Sequence, residues 1–344
     1  MPKKIEKQAS KKKIILVTGA TSGIGGLLTE KLLQMNYEVR VILMEHPNQN
    51  PEWKYLPKGV KVYVADIRLS DDQSKKAMAE ACKNVSIIFH LAASTSNYNN
   101  RYNDLINTNV IGTENIIKAY FDANADSDMK MHFIYTSSIA IYGYKRKDET
   151  LTEESEPMPR SAYSESKYMA EQVIKAFATA NKRLNYTIFR IGVIYGKRYE
   201  YNFFRIFKRI KEQTLRYIGN GENHLTLINV DDVVKALLIP MENSKSINKI
   251  YNLTDGVPYT QKELFKKAAK FLNVEAPTEN IHPFLARVIA RHREINLDQL
   301  RFLVSDRIVS IDKIKKELGF KPSVSIDIAG KVLAQEFLKK HSNL

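Results

Sequence analysis

A short run of glycines directly after an apolar segment is the strongest constraint on the fold. Residues 13–26 read KIILVTGATSGIGG, and residues 25–36, GGLLTEKLLQMN, have the leucine spacing of a helix. A buried strand, a glycine turn and a helix form the arrangement that binds the pyrophosphate of a dinucleotide. Glycine lets the phosphates approach the backbone, and the helix N-terminus favours their charge. Ordinary strand–helix turns also use glycine, so this interpretation needs support from the rest of the chain.

Apolar and helical segments alternate along the first 195 residues. The pattern predicts helices over 103–121 and 163–181, and further strands over 37–44, 60–66, 85–93, 131–138 and 186–192. This alternation predicts the α/β class, with a Rossmann-type doubly wound parallel sheet and a smaller, mostly helical C-terminal region. Residues 250–256, IYNLTDG, are typical of one more strand of that sheet.

Three parts of the chain follow from these patterns. Residues 1–13 are expected to be a basic, disordered tail, and residues 14–195 an NAD(P)-binding Rossmann domain. Residues 196–344 are expected to form the substrate-binding region, interleaved with the last sheet elements at about 226–256.

Composition excludes several classes of protein. A single cysteine, Cys82, rules out an intrachain disulfide and a cysteine-based zinc site, and it fits the reducing cytoplasm. No apolar run is long enough to span a membrane, and the N-terminus lacks the apolar region of a secretory signal. The net charge of +15 is concentrated partly in residues 1–13 and 197–216. A solvated basic surface explains it better than a nucleic-acid partner, for which no recognised module is present.

Nine segments, in order and beginning with the glycine turn, give the chain a family resemblance. From residue 14 to about 332 it resembles the extended short-chain dehydrogenase/reductase superfamily, which includes nucleotide-sugar epimerases and dehydratases, 3β-hydroxysteroid dehydrogenases and dihydroflavonol-reductase-like enzymes. The resemblance is closer to the last two groups. The segments are TGATSGIG (18–25), ADI (65–67), HLAA (90–93), NTNVIGTENII (107–117), TSSIAIYG (136–143), YSESK (163–167), FRIGVIYG (189–196), VDDVVKALL (230–238) and YNLTDG (251–256). One departure is Ser22, which gives the glycine turn the spacing of the shorter members.

The resemblance implies four catalytic residues. Tyr163 and Lys167 are four apart on a helix and so share one face. In the family the tyrosinate exchanges a proton with the substrate oxygen, and the lysine lowers the pKa of the tyrosine and holds the nicotinamide ribose. Ser138 matches the hydroxyl that binds the reacting oxygen, with Ser137 as the alternative register. Asn109 matches the asparagine that supports the active-site helix.

The resemblance also implies the cofactor site. The residues expected to contact NAD are Gly19, Thr21, Ser22, Gly23, Ile24, Gly25, Glu45, Asp66, Ile67, Leu91, Ala92, Ala93, Tyr163, Lys167 and Val193. Asp66 would bind the adenine amino group. Glu45, near the end of the second strand, favours the ribose hydroxyls of NAD. NADP stays possible, because Arg40 could reach a 2′-phosphate if the loop turned back. No metal is expected.

Substrate-side positions separate the branches of the superfamily. Ile139 and Ala140 replace the acidic pair of the dehydratases. Val193 and Leu225 stand where nucleotide-sugar epimerases carry an asparagine and an arginine that bind the diphosphate region, although Arg205, Lys208 or Arg209 could compensate. The aromatic and aliphatic side chains that could line an apolar pocket, or could equally be helix core, are Phe203, Phe204, Ile206, Phe284 and Leu285.

These observations predict a cytoplasmic NAD(P)-dependent oxidoreductase that transfers hydride between nicotinamide and a carbonyl or secondary alcohol. The alternative is an NAD-dependent nucleotide-sugar 4-epimerase, which uses the same residues. A non-catalytic nucleotide-sensing or RNA-associated protein is a third interpretation, which the intact Ser-Tyr-Lys set disfavours. The resemblance implies a small-molecule substrate and a homodimer formed through the helices over 103–121 and 163–181.

Overall fold

A computed structural model describes residues 12–45, 56–95, 102–143, 145–292 and 305–341. Most of the predicted basic tail, residues 1–11, lies outside these residues, and Lys12 and Lys13 are exposed. The first strand, β1 (Ile14–Thr18), is buried along its whole length. This is why its sequence is a continuous apolar run and does not alternate with polar residues.

Within the described residues, a parallel sheet of seven strands forms the centre of the molecule. In spatial order its strands are β11 (Lys249–Leu253), β7 (Leu184–Ile191), β5 (Met131–Ser138), β4 (Ile87–His90), β1 (Ile14–Thr18), β2 (Glu38–Leu43) and β3 (Lys61–Val64). In register, Ile15 of β1 lies between Val39 of β2 and Ile87 of β4. The predicted doubly wound sheet is therefore confirmed, and so is the late strand in 250–256.

Helices cover both faces of the sheet, and alternate residues of β1 enter different cores. Ile15 and Val17 pack on one side, while Leu16 packs on the other. The helices on the first side are α1 (Gly23–Gln34), α7 (Val230–Leu238) and α10 (Asp312–Leu318), and those on the second are α2 (Asp72–Cys82), α4 (Gly112–Ala123) and α5 (Ala162–Ala180). Three layers result, as in other α/β folds. The free thiol of Cys82 is buried in the core formed with α2, α4 and α5, and it lies 3.9 Å from the Ile116 carbonyl.

The helix predicted over 103–121 contains a wide turn. It begins as α3 (Tyr102–Ile106), continues as a π-helical segment (Asn107–Ile111), and runs on as α4. The residues on both sides of the π segment keep right-handed helical backbone angles, so the helix is not interrupted. Such π turns inside α-helices occur often at functional sites, because the extra residue redirects side chains.

A separate core lies in the C-terminal part of the chain. Phe203, Phe207 and Phe337 pack together between three helices, α6 (Glu200–Lys211), α8 (Gln261–Leu272) and α11 (Ile326–Lys340). Three small sheets accompany the central one. The first has three strands in the order β12 (Pro258–Thr260), β10 (His224–Asn229) and β8 (Val193–Tyr195). The other two are the pairs of β13 (Asn280–Ile281) with β9 (Tyr217–Ile218) and of β14 (Asp306–Val309) with β6 (Lys145–Leu151). Helix α9 (Pro283–His292) follows β13. The division of the chain at residue 195 stays a prediction.

Candidate active site

The candidate site lies where the winding of the sheet reverses. Chain order runs outward from β1 through β2 to β3 in one direction and through β4 to β5 in the other. Ligands of open α/β sheets bind at the carboxyl ends of the strands that flank such a reversal. Here those ends lead into Gly19 after β1 and into Leu91 after β4.

The glycine turn is packed too closely for any side chain. Gly19 has a φ of +73°, and a Cβ there would lie 2.6 Å from the Ala92 nitrogen. A Cβ on Gly25 would lie 2.0 Å from the Gly19 oxygen. Ser22 caps α1 by accepting a hydrogen bond from the Gly25 nitrogen at 3.0 Å, and Thr21, Ser22 and Gly23 are partly exposed. Bare backbone at a helix N-terminus fits the pyrophosphate of a dinucleotide.

The predicted serine and tyrosine are brought together. Ser138 is the last residue of β5, and Tyr163 lies in the first turn of α5. Burial raises the pKa of Tyr163 to about 12, and the Ser138 side chain acts in the opposite direction and lowers it. The alternative, Ser137, has a buried hydroxyl with no hydrogen-bond partner among the described residues.

Lys167 is buried one turn after Tyr163. Its ammonium group donates a 2.9 Å hydrogen bond to the Thr136 carbonyl and lies 4.8 Å from the centre of the Tyr135 ring. Burial lowers the pKa of Lys167 to about 7, while the charge of Glu171 opposes this shift. Burial is the largest influence on the pKa of both groups in this structure, and the lowering of the Tyr163 pKa by Lys167 stays a prediction.

Asn109 connects the helix of the π turn to α5. Its side-chain amide donates to Ser166 Oγ at 2.9 Å and to the Ser94 carbonyl at 3.0 Å, and its oxygen accepts from the Ser94 nitrogen at 2.8 Å. Ser166 in turn donates to the Tyr163 carbonyl at 2.9 Å. The buried amide thus makes three hydrogen bonds, which link the segment after β4 to the first turns of α5.

His90 extends this network and was missed from the sequence, although HLAA was recognised as a motif. Thr113 donates to the Asn109 carbonyl at 2.7 Å, so it accepts from His90 Nε2 at 3.0 Å. Thr18 accepts from the Ala92 nitrogen at 3.2 Å and donates to His90 Nδ1 at 2.8 Å. Burial lowers the pKa of His90 to about 3, so the ring is neutral. The sequence did contain a signal for this network. His90 lies in a strand predicted to be buried, and a buried polar side chain needs hydrogen-bond partners.

Three predicted cofactor positions on this edge carry contacts of their own. The Asp66 carboxylate binds the guanidinium of Arg68 at 2.6 and 2.9 Å, and hydrogen bonds from Arg68 lower the pKa of Asp66 against the effect of burial. Ile67 is buried against Gly112, and Glu45 is exposed just after β2.

The suggestion that Arg40 reaches a 2′-phosphate is wrong. Its guanidinium donates to the carbonyls of Glu80, Ala81 and Lys83 at 3.2, 3.2 and 2.8 Å, and it also binds Glu38. These contacts hold the side chain at the end of α2 and away from the carboxyl end of β2, where the ribose of a dinucleotide binds.

The remaining predicted positions lie at the candidate site, in the separate C-terminal core or on the surface. Ile24 is buried in α1, Leu91 is buried, and Ala92 and Ala93 are partly exposed after β4. Val193 is partly exposed in β8, and Leu225 is buried in β10. Phe203 belongs to the C-terminal core, and Phe204 and Ile206 pack against it. The exposed side chains are Arg205, Lys208, Arg209, Phe284 and Leu285. Because the three basic side chains face solvent, this structure does not support their compensating for Val193 and Leu225.

Comparison with known proteins identifies the family. The sequence model of the NAD dependent epimerase/dehydratase family matches residues 15–254. The chain belongs to this family. Its predicted relation to the extended short-chain dehydrogenases/reductases is confirmed, and the family's dependence on NAD agrees with the cofactor predicted from the glycine turn.

Members of this family with different activities are similar to the chain. A putative UDP-glucose 4-epimerase of Methanocaldococcus jannaschii is 31% identical over 261 residues, which cover 73% of this chain and 80% of that protein. The decarboxylating sterol-4-alpha-carboxylate 3-dehydrogenase of Mus musculus is 24% identical over 95% of this chain and 92% of its own length. The structure of a Thermotoga maritima UDP-glucose 4-epimerase with UDP-glucose superposes with a TM-score of 0.75 at 25% identity, covering 95% and 99% of the two chains. The chain is thus a family oxidoreductase whose particular reaction these comparisons leave open.

Two further properties of the described residues bear on the site. No helix among them is long and apolar enough to cross a bilayer. No cluster of three or more histidine, cysteine, aspartate or glutamate side chains in the same residues has the arrangement of a metal site.

Proposed function

We propose that this protein transfers hydride between NAD and a carbonyl or secondary alcohol, with Tyr163 as the acid or base. The observation that carries the proposal is the meeting of three side chains at the carboxyl edge of the sheet. Ser138 ends β5, and Tyr163 and the buried Lys167 lie in the first two turns of α5. A phenol, a second hydroxyl and an amine at that edge are the groups needed to bind one oxygen atom and move its proton.

Tyr163, Ser138 and Lys167 each have one role in the proposed reaction. The bound nicotinamide supplies or accepts the hydride. Tyr163 carries its proton at neutral pH because its pKa is about 12, so its O–H donates to the oxygen of a carbonyl that is being reduced. Ser138 binds the same oxygen and orients it, while Lys167 holds the nicotinamide ribose. Alcohol oxidation is the reverse and needs the phenolate of Tyr163.

The cofactor would lie across the carboxyl ends of β1 and β4. The N-terminus of α1 and its glycine turn would hold the pyrophosphate, and Asp66 and Glu45 would bind the adenosine end. Leu91, Ala92 and Ala93 would face the cofactor along β4, with Val193 near the nicotinamide.

A nucleotide-sugar 4-epimerase is the second candidate. It is favoured by the 31% identity to the putative epimerase of Methanocaldococcus jannaschii and by the likeness to the Thermotoga maritima structure. Against it stand Val193 and Leu225, because Leu225 is buried in β10 and offers no charge to a diphosphate. We further propose a cytoplasmic homodimer formed through the helices over 103–121 and 163–181. Light scattering of the purified protein tests the dimer.

One measurement separates the two reactions. The purified protein is denatured, and the released nicotinamide cofactor is quantified and identified. An epimerase returns the hydride to its own substrate and retains NAD, so near-stoichiometric NAD would replace the first proposal with the second. A largely empty site, with turnover that requires added NAD, is the result we expect.

A further inference from the structure

One side chain outside the predicted site covers the glycine turn. The ring of Tyr199 lies so close to Gly23 that a Cβ on this glycine would be 2.4 Å from the ring. The Tyr199 hydroxyl accepts a hydrogen bond from the Ile24 nitrogen at 3.3 Å. Burial raises the pKa of Tyr199, so the hydroxyl is neutral. An aromatic side chain thus uses the N–H group and the bare backbone on which a dinucleotide pyrophosphate binds.

The loop that carries Tyr199 is held in an unusual conformation. Residues 196–199 connect β8 to α6, and the Tyr199 nitrogen closes a turn on the Gly196 oxygen at 2.9 Å. Arg198 has a φ of +69°, a left-handed backbone that is uncommon for a residue with a side chain. Its guanidinium pairs with Glu30 of α1 at 2.5 Å and is largely buried. The ion pair fixes the loop to the same helix whose N-terminus Tyr199 covers.

We propose that Tyr199 competes with the cofactor pyrophosphate for the N-terminal turn of α1, so that the 196–199 loop must open before the cofactor binds. This inference rests on the proposed NAD-dependent function. The apparent affinity for NAD is then the intrinsic affinity reduced by the fraction of molecules in which the loop is open. Such competition suits an enzyme that exchanges its cofactor in every turnover, since Tyr199 returns to Ile24 as the cofactor leaves.

The test compares two substitutions of Tyr199 with a control on α6. Tyr199→Ala removes the ring and the hydroxyl, and Tyr199→Phe removes only the hydrogen bond to Ile24. Loss of one neutral hydrogen bond corresponds to about a two- to tenfold change in affinity. We expect Tyr199→Phe to bind NADH tighter by about this factor, and Tyr199→Ala to bind tighter still. The control, Tyr201→Ala, removes a ring that is 70% exposed and should leave binding unchanged.

Calorimetry gives the dissociation constant for NADH, and stopped-flow fluorescence gives the association rate. In the wild type the rate should reach a plateau at high NADH, because loop opening limits it, whereas in Tyr199→Ala it should rise linearly. Unchanged or weaker binding in both variants, with unchanged melting temperatures, overturns the competition. Absence of NADH binding in the wild type and both variants rejects the proposed function itself, whereas binding that the variants do not alter rejects only the role of Tyr199.

Discussion

The Glu171 carboxylate on α5 and the Arg190 guanidinium on β7 meet in a two-point ion pair. Arg190 Nε lies 3.1 Å from one carboxylate oxygen and Nη2 lies 2.8 Å from the other, and neither side chain is exposed. Arg190 also donates to the Tyr142 hydroxyl at 2.8 Å, and Tyr142 donates to Asn252 of β11 at 2.7 Å. The pair therefore ties the helix that carries Tyr163 and Lys167 to two strands of the sheet.

Breaking this pair should destabilise the fold strongly. Removing one partner of a buried pair costs about 3–5 kcal/mol, because the other charge is left without compensation. Glu171→Leu should lose this amount in urea unfolding, and adding Arg190→Met should recover most of it. Glu154→Gln, which breaks an exposed contact to Lys313 at 3.5 Å, serves as the control with a loss of at most about 0.5 kcal/mol. Equal effects of Glu171→Leu and Glu154→Gln would contradict the importance of the buried pair.

Tyr163→Phe should abolish turnover and preserve cofactor binding. The phenol is the proposed proton donor, and loss of a positioned acid or base slows a reaction by about 10²–10⁴-fold. Steady-state kinetics with a carbonyl substrate, and NADH titration of the same protein, measure the two effects. Tyr168→Phe is the matched control on the same helix and should keep full activity. If Tyr163→Phe turned over like the wild type, the proposed chemistry would be wrong.

The two directions of the reaction should differ in pH dependence. The pKa of Tyr163 is about 12, above the ordinary value of 10.0, so the phenolate that oxidises an alcohol is scarce at neutral pH. Oxidation should therefore accelerate about tenfold per pH unit between pH 7 and 9, while reduction stays flat. Single-turnover rates at several pH values in both directions measure this difference. A flat oxidation profile would show that another group takes the proton.

Lys167 should make stability depend on alkaline pH. Its folded pKa of about 7 lies below the ordinary value of 10.5, so the unfolded chain binds more protons between these values. Stability from this group consequently rises with pH from about 7 to 10.5, by at most about 1.4 kcal/mol per unit, and is lost as pH falls through that window. Urea unfolding at pH 7, 8 and 9 gives the free energy of unfolding at each pH, and this free energy should rise less steeply with pH in Lys167→Met than in the wild type. The same slope in both proteins would place the lysine in a more polar environment than the structure indicates.

Gly25→Ala should damage the glycine turn itself. The added methyl group would meet the Gly19 carbonyl, a backbone atom that cannot move aside, and overpacking of this kind costs about 1–3 kcal/mol. We expect NADH binding at least about tenfold weaker, together with a lower melting temperature. Gly319→Ala is the control, since this residue lies outside the turn and has no atom within 4 Å of its Cβ position, although its own φ of +67° is unfavourable for alanine. It should lose some stability and bind NADH normally.

The sequence allowed the central sheet to be predicted because strands such as β1 are buried on both faces. The continuous apolar run of Ile14–Thr18, which ends in a threonine, carries that signal within a few residues. Short strands at the edge of the C-terminal region carry much less. Strand β6 pairs with β14 far along the chain, through Leu151 and Val309, and no local pattern announces such a partner.

The candidate site was predictable in its chemistry and less so in its electrostatics. Motif positions located Ser138, Tyr163 and Lys167, but the direction of the tyrosine pKa follows from burial, which a list of residue types does not contain. Contacts between residues far apart in the chain could not be predicted from the sequence either. Tyr199 and Ile24 are 175 residues apart, and their hydrogen bond appears only once the chain is folded.

The burial of Cys82 has a practical consequence for detecting the proposed opening of the 196–199 loop. The pKa of this thiol is raised to about 12 by burial, so almost no reactive thiolate forms near neutral pH, and a maleimide dye should leave the native protein unlabelled. A single cysteine introduced at the exposed Lys197 would then be the only labelling position, two residues from Tyr199. Cys82 therefore does not have to be removed before a dye is attached to this loop for fluorescence spectroscopy.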